Sequence, residues 1–279
     1  MQDDVGIGPV ARITFTTADG TTHAPLVEAV VNGVRTRLVL DTGATDHLLT
    51  LAVCDAANVA TEPGEPGTDS TGSSVPSWQA REVTVSIGAM KLAFPEVIAI
   101  ETPPPFERAG LGGTLSPQRL RADSYVALDL TEGGAAALLG ADDLDAWLAD
   151  SYPGRRSLQL PAIEGDGTVL VEAAIDTFPP VVTMLDTGAK ATYAAAAAVP
   201  GLGEGRLRRS TGHGVGGTEA FGVDVPDRVL RVGGEELPFD LVIAEHDLGI
   251  RGCVVGMDLL RGTVLAVGPP GSPIRWLLP

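Results

Sequence analysis

The pentapeptide Leu-Asp-Thr-Gly-Ala occurs twice, as Leu40-Asp41-Thr42-Gly43-Ala44 and as Leu185-Asp186-Thr187-Gly188-Ala189. Each copy ends an apolar, β-prone run, Arg37-Leu38-Val39-Leu40 and Val182-Thr183-Met184-Leu185, so each Asp is expected where a strand turns sharply on a glycine. One such tripeptide is an ordinary turn signal. Two copies in matched settings constrain the fold, because the likeness extends well beyond them. At an offset of 144 to 145 residues, Leu26-Val27-Glu28-Ala29-Val30-Val31 lies against Leu170-Val171-Glu172-Ala173-Ala174-Ile175; just upstream, Gly20-Thr21 lies against Gly167-Thr168 at an offset of 147. Downstream, residues 87–99 lie against 232–244, and Gly110-Leu111-Gly112 against Val254-Val255-Gly256. Stacking repeats have periods of about 20–50 residues, so a repeat this long is a duplicated domain.

The expected organisation is two homologous lobes related by a pseudo-twofold, residues 1–150 with Asp41 and 151–279 with Asp186. The junction falls near Ser151-Tyr152-Pro153-Gly154. The chain of 279 residues is long enough for two cores. Its 35 Gly and 21 Pro are spread among short Val/Ile/Leu/Thr runs and predict an all-β class. Helices are expected only locally: residues 191–199, from the alanine run before Pro200-Gly201; the equivalent 48–60; and the stretch from Asp142 to Leu148.

A formal charge of −17 argues against nucleic acid as a partner. The one basic cluster, Arg206, Arg208 and Arg209 with His213 nearby, reads as a solvated turn offsetting local acid. No apolar stretch approaches a membrane span, and Met1-Gln2-Asp3-Asp4 lacks signal-peptide features; an intracellular protein and a processed secreted or periplasmic form both fit. Cys54 and Cys253 occupy non-equivalent repeat positions and read as buried free thiols, with a disulfide left open. His23, His47, His213 and His246 lack metal-ligand spacing and read as ordinary surface or loop residues, and no metal or cofactor is expected. Gly212-His213-Gly214-Val215-Gly216-Gly217 fits a nucleotide-binding fingerprint in letters only, with no apolar strand before it and no helix after it. No Gly-x-Ser-x-Gly elbow and no reactive-cysteine signature is present.

Two carboxyls brought close together cannot both ionise readily, so over a range of pH they hold one proton between them. A water between them can then be deprotonated by one as it attacks a carbonyl carbon, while the other protonates the carbonyl oxygen.

These features together resemble the aspartic peptidases of the two-lobed pepsin-like group, with retropepsin-like details, over nearly the whole chain. The resemblance implies β-barrel-like lobes flanking a central cleft, a polypeptide substrate, and a chain active as a monomer. It implies Asp41 and Asp186 as the catalytic pair, Thr42 and Thr187 as cross-bracing residues, and Gly43 and Gly188 as points of close backbone approach. The hydrophobic-hydrophobic-Gly element under each loop is clear at Val254-Val255-Gly256 and weaker at Gly110-Leu111-Gly112-Gly113. Ala44 and Ala189 stand where pepsin-like enzymes carry Ser or Thr. Losing those donors implies a higher apparent pKa and a less acidic optimum than gastric pepsin. The flap expected in the first lobe matches Thr68-Asp69-Ser70-Thr71-Gly72-Ser73-Ser74, which lacks the family's tyrosine; Trp78 either replaces it or packs at the hairpin base. The second-lobe counterpart, with Val215, Gly216 and Gly217, resembles a mobile retropepsin flap. The alternative to an endopeptidase is an inactive member of the fold that binds peptides or proteins.

Overall fold

Strands dominate the computed structural model, which describes residues 8–18, 20–69, 71–165, 167–213, 219–245 and 252–279. Six strands of the first half are Gly20–Val31 (β1), Val34–Leu40 (β2), Leu48–Thr50 (β3), Ser77–Ile87 (β4), Met90–Ile100 (β5) and Leu111–Leu115 (β6). Six of the second half are Leu170–Ile175 (β7), Val181–Leu185 (β8), Thr192–Ala195 (β9), Glu219–Val232 (β10), Glu235–Ala244 (β11) and Cys253–Val255 (β12). The first set is ordered β1-β2-β6-β3-β5-β4 and the second β7-β8-β12-β9-β11-β10, the same order strand for strand. The directions agree too. β2 and β6 are parallel, as are β3 and β5, and so are their counterparts β8 with β12 and β9 with β11. An extra pairing curls each sheet on itself, β1 with β4 and β7 with β10.

A third sheet takes three strands from each half, in the order Gly8–Arg12, Ala135–Gly140, Ser124–Asp129, Val264–Val267, Ile274–Leu278, Arg156–Leu160. Its seam is the antiparallel pairing of Val126 with Val267 through Asp129 with Val264. Alternation along these strands sends Val126, Leu128, Leu265 and Trp276 into the main core. The opposite face, Tyr125, Ala127, Val264 and Ala266, packs under Leu144 and Leu148 of the helix Ala141–Ser151. That helix covers the segment expected from its acidic start. The main core runs without a break from Leu38 and Leu40 through Leu128 to Leu185 and Val255, so burial links both halves to the shared sheet.

Two local expectations are corrected. Residues 191–199 form the strand β9 and a single 3-10 turn, Ala196–Ala198, instead of a helix. Alanine's helix preference is worth well under about 1 kcal/mol per residue. It is outweighed by the ladders of β9 to β11 and β12 and by Asp258, which accepts from both the Thr192 amide and its hydroxyl, at 2.9 and 2.7 Å. In the equivalent 48–60 segment, helix is confined to Leu51–Ala56, capped by the Thr50 hydroxyl, because Leu48–Thr50 is drawn into the sheet. Cys54 and Cys253 are buried free thiols. Among the described residues no helix is long and apolar enough to cross a membrane.

Candidate active site

β2 ends in the buried Val39 and Leu40, and the chain then turns at Asp41; β8 ends in the buried Leu185 and turns at Asp186. Each aspartate is tied to the strand that runs beside its own. The Asp41 amide donates to Leu115 O and the Asp186 amide to Val255 O, both at 2.9 Å. The next turn is equally matched, with Ala44 N donating to Asp41 O and Ala189 N to Asp186 O, both at 3.3 Å. The carboxylates take amides from their own loops: Asp41 Oδ1 from Gly43 at 2.9 Å, and Asp186 Oδ1 from Gly188 at 2.7 Å and Ala189 at 3.2 Å.

The two loops are fastened by an exchange of threonines. Thr42 Oγ1 donates to Leu185 O at 2.6 Å and accepts from the Thr187 amide at 3.0 Å. Thr187 Oγ1 donates to Leu40 O at 2.6 Å and accepts from the Thr42 amide at 3.0 Å. Both threonines have no exposed surface. Each hydroxyl therefore satisfies two buried backbone groups of the opposite loop, groups that would each cost about 1–3 kcal/mol if left unmet. The glycines complete the approach. A Cβ on Gly43 would overlap the Asp186 carboxyl, and one on Gly188 would lie 2.7 Å from the Asp41 carboxyl carbon. Any side chain at either position would push the two carboxyls apart.

The carboxyls share a hydrogen bond and both titrate above the usual carboxylate range. For Asp41, burial is the largest cause, then the negative charge of Asp186; the amides of Gly43 and Ala44 oppose them, and its carboxyl is held well above the ordinary value. For Asp186, burial raises the value, while the bond from Asp41, the amides of Gly188 and Ala189, and His23 pull it back. The pair thus keeps a proton at pH values where isolated aspartates have lost theirs.

Three supporting residues went unassigned in the sequence, and two of them correct the reading of the histidines as surface residues. His47 is buried, stacks at a tilt on Phe94 with ring centroids 4.3 Å apart, and accepts the Ser116 amide at Nδ1. Burial chiefly, with the nearby Arg119 charge, lowers its pKa to about 4. His23 is half-buried on β1 with Nε2 2.8 Å from Gly188 O, across the site. The buried Gln118 directs its amide nitrogen at three carbonyls, Thr42 O at 3.3 Å, Ala44 O at 3.2 Å and Gly167 O at 2.8 Å. The self-alignment held a signal for His47, since the 145-residue offset sets it opposite Thr192, and Gln118 ends Leu115-Ser116-Pro117-Gln118, a stretch that resembles the segment after the hydrophobic-hydrophobic-Gly element in pepsin-like first lobes; nothing in the letters marks His23.

The residues expected in the first hairpin lie on a small turn between Gly67–Thr68 and Ser74–Val75. Asp69 closes it by accepting from the Thr71 amide and hydroxyl and from the Ser73 amide, with Gly72 at φ +78°. Ser70 lies outside the described residues. Trp78 is on β4, opposite Ala99 and Pro63, and packs against the main core. In the second hairpin Val215, Gly216 and Gly217 lie outside the described residues, as does His246. Nearby, Arg208 pairs with Glu245 and Arg209 with Asp224, so these two arginines are neutralised by local acid.

The topology and the paired aspartate loops define the chain as an all-β protein with two carboxyls gathered at one site. Among known proteins, the aspartyl protease family model matches residues 27–115, a stretch that holds the first loop and its supporting strand β6. This likeness supports an aspartic peptidase, a hydrolase acting on polypeptides. No curated protein matches the chain.

Proposed function

We infer that this chain is an aspartic endopeptidase of two-lobed, pepsin-like organisation, with lobes 1–150 and 151–279 related by a pseudo-twofold. Asp41 and Asp186 together activate one water. The reading is carried by the threonine exchange, which draws loops 145 residues apart into one site with a shared carboxyl hydrogen bond. Structural ion pairs also perturb pKa values, but two carboxyls held against each other without a counter-cation between them store unfavourable charge that packing alone does not need. The singly protonated pair supplies a base and an acid in one place. The ionised member takes a proton from water as it attacks the scissile carbonyl carbon, and the protonated member donates to the carbonyl oxygen; collapse then expels the amine with a returned proton. No covalent enzyme intermediate forms. Substrate binds as an extended strand, with retropepsin-like Asp-Thr-Gly-Ala loops at the cleft floor and the turn between Gly67–Thr68 and Ser74–Val75 closing over it.

The test is cleavage of a diverse peptide mixture across about pH 3–7, read by mass spectrometry. Asp41→Asn and Asp186→Asn are each expected to lower kcat by about 100-fold or more, because acid–base groups are worth at least that. The absence of hydroxyl donors at Ala44 and Ala189 leads us to expect an optimum at milder pH than that of gastric pepsin; a rate still climbing below about pH 3 would contradict this. The absent flap tyrosine favours a second reading, an inactive binding module. Such a module would cleave nothing and would keep its peptide affinity through both substitutions.

A further inference from the structure

We propose that His23 is a positioning residue acting on Asp186 through one peptide unit, so that two otherwise matched carboxyls carry unequal charge. The proposal rests on the acid–base reading of the pair and assigns roles within it. The geometry is a chain of two hydrogen bonds. His23 Nε2 faces Gly188 O at 2.8 Å, and a carbonyl only accepts, so that nitrogen carries the hydrogen. The same peptide unit ends in the Ala189 N–H, which donates to Asp186 Oδ1 at 3.2 Å. A donor at the oxygen of a peptide polarises it and strengthens its N–H as a donor, so His23 reinforces the bond that stabilises the Asp186 anion.

Among the described residues the first loop has no counterpart. Leu26 pairs with Val39 as Leu170 pairs with Met184, so counting back three residues sets Gly167 opposite His23 in the repeat. Gly167 has no side chain, and the space a Cβ would enter is filled by the Arg119 guanidinium, which reaches Asp46. The peptide joining Gly43 to Ala44 therefore lacks an imidazole behind it. Charge therefore settles on Asp186, the base, and the proton on Asp41, the acid. The charged groups facing His23 come from the second loop: Lys190 opposes protonation of the ring and Asp186 favours it, while burial lowers its pKa most. The neutral Nε2–H form is the working one.

The test combines kinetics with a readout independent of turnover. His23→Leu is expected to lower kcat about tenfold, the loss of one hydrogen bond, with KM within about twofold, and His23→Gln, which restores a donor, to recover most of it. Equal losses in Leu and Gln, or a loss confined to KM, would overturn the proposal. Nitrogen-15 NMR of the histidine ring in unmodified protein, Asp186→Asn and Asp41→Asn is expected to show the Nε2–H tautomer, with a ring pKa that falls in Asp186→Asn and moves less in Asp41→Asn. A neutral Nδ1–H tautomer, or identical titration in all three proteins, would also overturn it. If the tautomer and its response to Asp186→Asn are found in a protein that cleaves nothing, the hydrolase reading fails and the relay stands. If cleavage depends on both aspartates and His23→Leu is kinetically silent, the relay alone fails.

Discussion

Beneath the two aspartate loops the backbone does the same thing with different chemistry. In the second half Thr192 Oγ1 accepts the Gly256 amide, and Met257 N donates to Ala189 O at 2.9 Å. The ladders set Leu115 beside Leu40 as Val255 beside Leu185, which corrects the expected match of Gly110-Leu111-Gly112 with Val254-Val255-Gly256: Ser116 stands opposite Gly256, its amide is accepted by the ring of His47, and the position matching Met257 is Pro117, which has no N–H to give. The Ala44 carbonyl is met instead by the side chain of Gln118, which simultaneously reaches Gly167 in the other half. At the position matching Gln118 stands Asp258, which turns back to hold Thr192 within its own half. The lesson is that a duplicated frame conserves its unmet hydrogen-bonding groups, while the residues that meet them are free to change. One half is braced locally; the other is braced partly through its neighbour.

The largest expected effect tests where the halves are alike. Thr42→Val and Thr187→Val each orphan two buried backbone groups, so each should cost about 2–5 kcal/mol, and the two losses should agree within about 1 kcal/mol. Chemical denaturation with circular dichroism measures both; a difference of several kcal/mol would break the equivalence.

The next effect tests where they differ. His47 has a folded pKa near 4 against an ordinary 6.5, so it is neutral in the fold while the unfolded chain takes up its proton first. A depressed histidine value means stability is present above about pH 6.5 and is lost as pH falls toward 4, by up to about 3 kcal/mol. His47→Gln should flatten that part of the stability curve even if it lowers the plateau. An unchanged slope would show that the ring is not the acid-sensitive brace of the first half.

Smallest is the contrast between bracing across and bracing within. Gln118→Leu should cost about 1–3 kcal/mol by leaving buried carbonyls unmet. Asp258→Asn, at an exposed residue whose hydrogen bonds the amide can partly replace, should cost about 1 kcal/mol or less. Urea melts of the two variants check the order, and a reversal would refute it.

How much of this was legible follows the same division. That the two halves carry matched loops on matching strands is a property of the repeat and could be read from aligned letters such as Leu26 to Val31 against Leu170 to Ile175, whereas the order of the strands within each sheet could not. The helix expected at 191–199 failed because local propensity is weak against a carboxylate and two ladders acting on Thr192. The shared sheet was hidden because nothing in the letters of Ser124–Asp129 or Val264–Val267 signals that they pair with each other across the two halves. The bracing contacts of His23 and Gln118 were not legible because their partners, at Gly188 and Gly167, lie 165 and 49 positions away and are backbone atoms, which leave no trace in residue identity.

The threonine exchange also bears on the order of events as the chain is made. Thr42 emerges long before Leu185 and Thr187, and until they arrive its hydroxyl and amide have only water to bond. Its aspartate likewise stands alone, an ordinary acid without the partner that would hold a proton against it. The site therefore behaves as a logical conjunction: both inputs must be present, folded and in register before there is an output. A nascent or truncated first half lacks the second carboxyl and the second threonine, so the bonds that span the two loops form only when both are folded and in register.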